Sequence, residues 1–425
     1  MSESVEPSRT APGRLPPIWL MGFGFLPLGA QGTLTLITVP QLLAANGVPQ
    51  DHITAVTGFA LIPGFCGFAL APLLDWRFSR RFYAIAFTLM AAVCQFGAMI
   101  SVRDLTALSW MLFASGIAIS LSVAAVGGWF GNLTPTEAKG RLGVWFTVAN
   151  LGGGGVVAGS AIWVLRDLPY PVGAGLLCLT IALAIPLYLW VPCPPADGRL
   201  ASESFAAFAR DVLALLRKPA VLVTLALFLA PTASFALTNQ LSGVGADFHA
   251  SEGFVGLIGG LGIAAAGVLG SLLISPLSVR LPPRVLYLAV GLTGAAFSLS
   301  LMVMARTPAI FGVAMLGENL FQAASFSVQN IIVLRTIGHD NPLAATQFGL
   351  LNGATMVPLT YMQFIDGQAY DFSGINSSFL ADAALSGVAC LIAALALWLG
   401  RRWLTSIGAD QPAPAPATEA IEASA

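Results

Sequence analysis

The chain has 425 residues, of which 9% are charged and 56% hydrophobic, with a net charge of −1 and a mean hydropathy of +0.82. This apolar balance lies outside the range of soluble domains and reads as a polytopic membrane protein, while the near-zero charge excludes nucleic-acid binding driven by a basic field. Five unpaired cysteines (Cys66, Cys94, Cys178, Cys193 and Cys390) and three scattered histidines show no spacing for a disulfide framework, a metal site or a bound cofactor.

A spanning helix takes ~20 mostly apolar residues to cross ~30 Å of hydrocarbon. Twelve segments meet that requirement: 17–39, 52–74, 82–101, 105–130, 142–165, 171–191, 218–242, 252–276, 284–304, 308–335, 345–366 and 375–400. A short polar tail with Arg9 and Arg14 precedes the first span, which lacks a small-residue cleavage site and reads as an uncleaved helix. Span two closes on Ala71-Pro-Leu-Leu-Asp-Trp-Arg-Phe-Ser-Arg-Arg. Span five holds four consecutive glycines at 152–155 with Gly159 beyond them, small residues that let helix backbones approach closely. The longest polar connector lies between spans six and seven. Within it Phe205, Phe208, Val212 and Leu215 recur at spacings of three and four, which fits either a helix on the membrane surface or a structured linker. After Trp403 the chain is rich in Ala and Pro and reads as a disordered tail.

Nineteen Lys and Arg residues punctuate these spans, and sixteen of them fall in alternate gaps. Only Arg103, Arg166 and Arg306 occupy the opposite gaps. Basic residues near helix ends stay on the cytoplasmic side during insertion, so both termini are expected in the cytoplasm and the protein in an inner membrane. The expected organisation is a tail at 1–16, a six-helix bundle at 17–191, a cytoplasmic linker at 192–217, a second six-helix bundle at 218–400 and a tail at 401–425. The bundles carry traces of a repeat. Pro72 and Pro276 end spans two and eight 204 residues apart, and Gly140-Arg-Leu-Gly-Val-Trp-Phe matches Thr346-Gln-Phe-Gly-Leu-Leu-Asn 206 residues on.

Two like halves with a charged connector after the second helix resemble the major facilitator superfamily, whose connector runs roughly Gly-x-x-x-Asp-Arg-x-Gly-Arg-Arg. Asp75, Arg77, Arg80 and Arg81 match it with the glycines replaced and the spacing loosened. The resemblance implies an all-α fold of twelve transmembrane helices in two six-helix repeats, with these four residues latching the halves at the cytoplasmic face. Within the superfamily the chain is similar to the AmpG-like permeases and their acetyl-CoA-transporter relatives. That likeness rests on Ala71-Pro-Leu-Leu-Asp, on the opening span from Gly22 to Gln41, and on Gly317-Glu-Asn-Leu. It implies an inner-membrane permease for cargo in the range of anhydro-muropeptides, siderophores and acyl-CoA species. Antiporters of the superfamily carry a Gly-Pro signature in span five, and no proline lies between Leu142 and Leu165, which favours symport or uniport.

Glu318 stands out among the polar residues of the spans. At ~1.5 Å per residue it lies ~15 Å deep, where a carboxylate costs ~2.5–3.5 kcal/mol unless it faces a cavity or a partner. It is the proton-coupling candidate, with a neutral Glu bonded to a neighbouring helix as the alternative. Gln322, Ser325 and Gln329 follow at helical spacing and share its face, with Asn319 at the edge. The solute-path candidates are Gln31, Asn239, Gln240, Asn319, Gln322, Gln329 and Asn352, each of which also fits a plain interhelical hydrogen bond. Asn150 and Gln363 are further buried amides, and Asp366 and Asp382 are expected as an outer acidic patch. No basic residue reaches midplane depth, which argues against a highly charged cargo.

The function expected from these features is secondary active transport of a small organic solute by alternating access. Proton-coupled import of a muropeptide- or siderophore-like cargo leads, with drug or metabolite efflux as the alternative. The expected partners are the solute, protons and the lipid bilayer, for a monomer without cofactor or metal. Enzymes need a reactive cluster, and none is legible here.

Overall fold

The computed structural model describes residues 15–75, 78–193, 205–241, 243–338, 341–400 and 402. The expected terminal tails and the start of the linker fall outside them almost entirely. The N-terminal half consists of α1 (Ile18–Ala45), α2 (Gln50–Cys66, prolonged as a 3-10 helix over Gly67–Asp75), α3 (Arg80–Ile100), α4 (Leu105–Leu133), α5 (Thr136–Asp167) and α6 (Tyr170–Trp190). A short helix, α7 (Phe205–Leu216), leads into α8 (Pro219–Leu229) and α9 (Leu237–Leu241). The C-terminal half continues with α10 (Gly253–Arg280), α11 (Pro283–Leu301), α12 (Pro308–Ile337), α13 (Ala344–Ser373) and α14 (Ile375–Leu399).

Local chemistry sets many of these boundaries. Ser79, Asp104, Ser251 and Thr307 accept hydrogen bonds from the first-turn amides of α3, α4, the helix at Glu252–Leu257 and α12, so short connectors suffice. Gly338 and Gly374 end α12 and α13 at φ of 76° and 72°, a backbone region that glycine enters without strain. α1 stays helical through Pro27 and Pro40 by local adjustment, with a 3-10 turn at Phe23–Phe25 and a wider turn at Leu34–Thr38. It crosses α5 so closely that a Cβ on Gly29 would stand 1.9 Å from the carbonyl oxygen of Asn150. Large apolar side chains such as Val156, Leu269, Leu391 and Trp398 are exposed on the outer surface, as lipid contact requires.

Ten helices are long and apolar enough to cross a membrane among the described residues. The other two expected spans differ in instructive ways. α13 has the length, at 30 residues, but carries more polar side chains. Span seven, expected to run unbroken over 218–242, is interrupted between Leu229 and Leu237. Pro231 supplies no N–H and crowds the preceding turn, which favours an end to the helix there. Phe235, inside the break, takes the left-handed conformation at φ 49°, which costs ~1–3 kcal/mol for a residue with a side chain.

A break at membrane depth exposes backbone carbonyls that lipid cannot satisfy. Side chains from three neighbouring helices take them up. Tyr361 donates to the carbonyl of Leu229 at 2.9 Å, Ser325 to Ala233 at 2.8 Å, Gln322 to Phe235 at 3.3 Å, and the Cys390 thiol to Thr232. The Phe235 ring is buried and stacks on Phe321 at 6.0 Å between centroids.

The two halves meet along α2 with α13 and along α5 with α10 and α12. The four segments that carry the sequence repeat meet crosswise at this junction, none against its own look-alike. The end of α2 docks on the start of α13 through Asp75 and Thr346, and the end of α10 lies against the start of α5, where a Cβ on Gly140 would sit 3.3 Å from Ser278 Oγ.

Candidate functional site

Between the halves lies a cavity of about 230 Å³, walled by α1 and α5 on one side and by α10 and α12 on the other. Thr33 and Asn150 contribute polar groups from the N-terminal half, and Asn319 and Gln322 from the C-terminal half. Leu28, Leu36, Ile37 and Ile263 supply apolar wall, and glycines on α1, α5 and α10 keep it smooth. Asn319 is fixed by donating to the carbonyl of Met315 at 2.8 Å, and Gln322 by donating to Thr238 at 2.7 Å as well as to Phe235. Gln322 therefore borders the cavity and the helix break together.

Glu318 does not line this cavity. One residue before Asn319, it is turned into the C-terminal half, where it is fully buried and accepts a hydrogen bond from Ser298 Oγ of α11 at 2.6 Å. Asp382 of α14 lies within electrostatic reach of it, and Asp366 of α13 within reach of both. Asp366 and Asp382 are 0% and 2% exposed, so the acidic patch expected at the outer end is an interior cluster instead. Glu318 Oε2, both carboxylate oxygens of Asp366 and Asp382 Oδ1 have no hydrogen-bond partner among the described residues. Sequence reading missed this cluster because the three acids come from three helices, and only contact between those helices joins them.

The other candidates separate. Gln31 turns away from the cavity into the N-terminal half, bonding Thr35, whose hydroxyl reaches Gln95 of α3 at 3.1 Å. Asn239 is exposed on α9 and donates to Gln363 at 3.4 Å, while Gln240 beside it keeps a buried Oε1 with no partner among the described residues. Gln329 holds Tyr287 and Ser325 inside the C-terminal half. Asn352 borders a separate void between α2, α4 and α13 with room of about 20 Å³.

At the end of the bundle rich in basic residues, the halves are tied together. The Asp75 carboxylate accepts from the backbone N–H groups of Ala345 and Thr346 at 3.3 and 2.7 Å and from the Thr346 hydroxyl, so a negative charge sits on the positive N-terminus of α13. Arg80 pairs with Asp75 at 2.9 Å and donates to the carbonyls of Asn341 and Pro342. Arg81 stays within its own half, on the carbonyl of Val191 and over the Trp129 ring, and Arg77 lies outside the described residues.

Lys139 supplies a second tie that sequence reading treated only as an orientation marker. It is 1% exposed and donates to the carbonyls of Leu334 and Gly338 at 3.0 and 2.7 Å, placing a cation on the C-terminus of α12. Asn132 exchanges hydrogen bonds with the backbone of Asn341, and Asn330 donates to Thr147. The cavity is thus sealed on this side by hydrogen bonds between the halves.

No family model and no curated protein matches the sequence itself. Solved structures do match in three dimensions. The chain superposes on the proton:xylose symporter XylE bound to 6-bromo-6-deoxy-D-glucose with a TM-score of 0.64 at 16% identity, covering 90% of this chain and 94% of that one. It matches the E. coli fucose:proton symporter FucP with a TM-score of 0.62 at 15% identity, over 89% and 98% of the two chains. A bacterial homologue of the iron transporter ferroportin, in an outward-facing state, gives 0.64 at 15% identity over 91% and 100%. All of these have the major facilitator superfamily architecture, and the chain has that all-α, multi-pass membrane fold.

Proposed function

We propose that the chain is a secondary transporter that carries a small organic solute across an inner membrane by alternating access, with both termini in the cytoplasm. The observation behind this reading is the cavity shared between the halves, with Asn150 on one wall and Asn319 and Gln322 on the other, closed at the basic end by Asp75, Arg80 and Lys139. A solute bonded to both walls draws the halves together, and release of the basic-end ties then opens the opposite path.

Import coupled to protons is the preferred direction. Glu318, Asp366 and Asp382 sit in the C-terminal half with no basic side chain paired to them among the described residues, and burial of that kind favours a carboxyl that takes up and gives back a proton. Two of the structural neighbours are described as proton symporters, which supports the same reading. The resemblance to AmpG-like permeases suggests muropeptide- or siderophore-like cargo, yet the cavity in this state is smaller than the ~300–1,000 Å³ typical of drug-sized sites. Solute-screened uptake into proteoliposomes tests the proposal, with and without an inward proton gradient. Accumulation above the outside concentration in wild type and its loss in Glu318→Gln are expected. Equal, gradient-independent flux in both proteins would show a uniporter in which Glu318 is structural.

A further inference from the structure

Resting on the transport reading above, we infer that the solute is uncharged and is recognised without the coupling proton touching it. The described cavity wall contains no acidic, basic or histidine side chain. Its polar groups are one hydroxyl, Thr33, and the amides of Asn150, Asn319 and Gln322, which offer both donors and acceptors. An ion entering this space leaves water without meeting an opposite charge, whereas hydroxyl and amide groups find partners of their own kind. The Asn150 side chain makes no hydrogen bond among the described residues, and the residue lines the same cavity as Asn319 and Gln322 from the other half. The apolar walls at Leu36 and Ile263 leave one edge of the solute dry. The ligand class that fits about 230 Å³ so lined is a small polyol or amide with one apolar edge.

α12 separates the two chemistries. Asn319 looks into the cavity, and the neighbouring Glu318 looks away from it toward Ser298, Asp366 and Asp382. Any effect of pH on solute affinity then comes through the conformation of the protein, because no titrating group of the described wall meets the ligand.

Thermal stabilisation of the purified full chain by two matched sets reads this out. One set is glucose, glucosamine and glucuronate, and the other is N-acetylalaninamide, alaninamide and N-acetylalanine. The uncharged member of at least one set is expected to stabilise wild type and to keep stabilising Glu318→Gln, because Glu318 does not border the cavity. Asn150→Asp is expected to shift preference toward the cationic member of that set. Asn150→Ser, a milder change, is expected to weaken the uncharged ligand while the unliganded melting temperature holds. Stabilisation by a charged member that equals or exceeds its uncharged counterpart overturns the inference, as does stabilisation by none, or its loss in Glu318→Gln. Binding of the uncharged member with no uptake of it, with or without a gradient, would sink the transport reading and leave this one standing.

Discussion

The two faces of α12 do opposite things with the same kind of residue. Toward the cavity, Asn319 and Gln322 are polar groups beside open space, held in place by Met315, Thr238 and Phe235. Toward α11, α13 and α14, Glu318 is closed in with two more carboxyls and a single serine donor. A polar side chain inside a membrane protein is therefore not informative by depth alone. What matters is whether the space in front of it is open, and whether its partners are neutral amides or other acids.

Substitutions on each face should pull the two roles apart. Glu318→Gln is expected to have the largest effect, with proton-driven accumulation falling to the level set by the solute gradient while counterflow exchange persists. Loss of exchange as well would place Glu318 in the solute path. Ser325→Ala and Gln322→Leu each strand a carbonyl of the helix break, at ~1–3 kcal/mol apiece, and should lower the melting temperature in detergent. Only Gln322→Leu should also weaken solute binding, since Ser325 does not border the cavity.

A smaller effect, ~0.5–2 kcal/mol, is expected from Lys139→Met, which removes the cation from the C-terminus of α12. Faster maleimide labelling of a cysteine placed at Leu334 would report the loosened basic end; unchanged labelling would mean that Asp75 and Arg80 hold it unaided. Asn352→Ala should have the least effect, leaving uptake unchanged, because its void has room for about one water. A strong uptake defect there would relocate the solute path to α2, α4 and α13.

Most spans were legible because each depends on local composition, and the steps of three and four place Gln322, Ser325 and Gln329 on a polar face of α12 from which Glu318 turns away. The purpose of that face was not legible. Ser325 and Gln322 answer a break created by Pro231, roughly 90 residues earlier in a segment that otherwise reads as an unbroken apolar run. Separation in sequence likewise hid the cluster of Glu318, Asp366 and Asp382. Gln31 shows the converse, since its position in span one suggested the cavity while rotation about the helix axis turned it to Thr35, which in turn bonds Gln95. Depth can be counted from sequence, but rotation needs the neighbours.

The ties at the basic end have a consequence for how this protein can change over evolutionary time. Arg80, Asn132 and Lys139 donate to main-chain carbonyls at Leu334, Gly338, Asn341 and Pro342, and Asp75 accepts from the main-chain amides of Ala345 and Thr346. Every residue type except proline offers the same main-chain groups. The gripping half is therefore bound to its side chains, while the gripped segment is free to drift in sequence outside Gly338, whose φ favours glycine, and Thr346, whose hydroxyl also reaches Asp75. Natural variation should accordingly gather on one side of the junction and be scarce on the other.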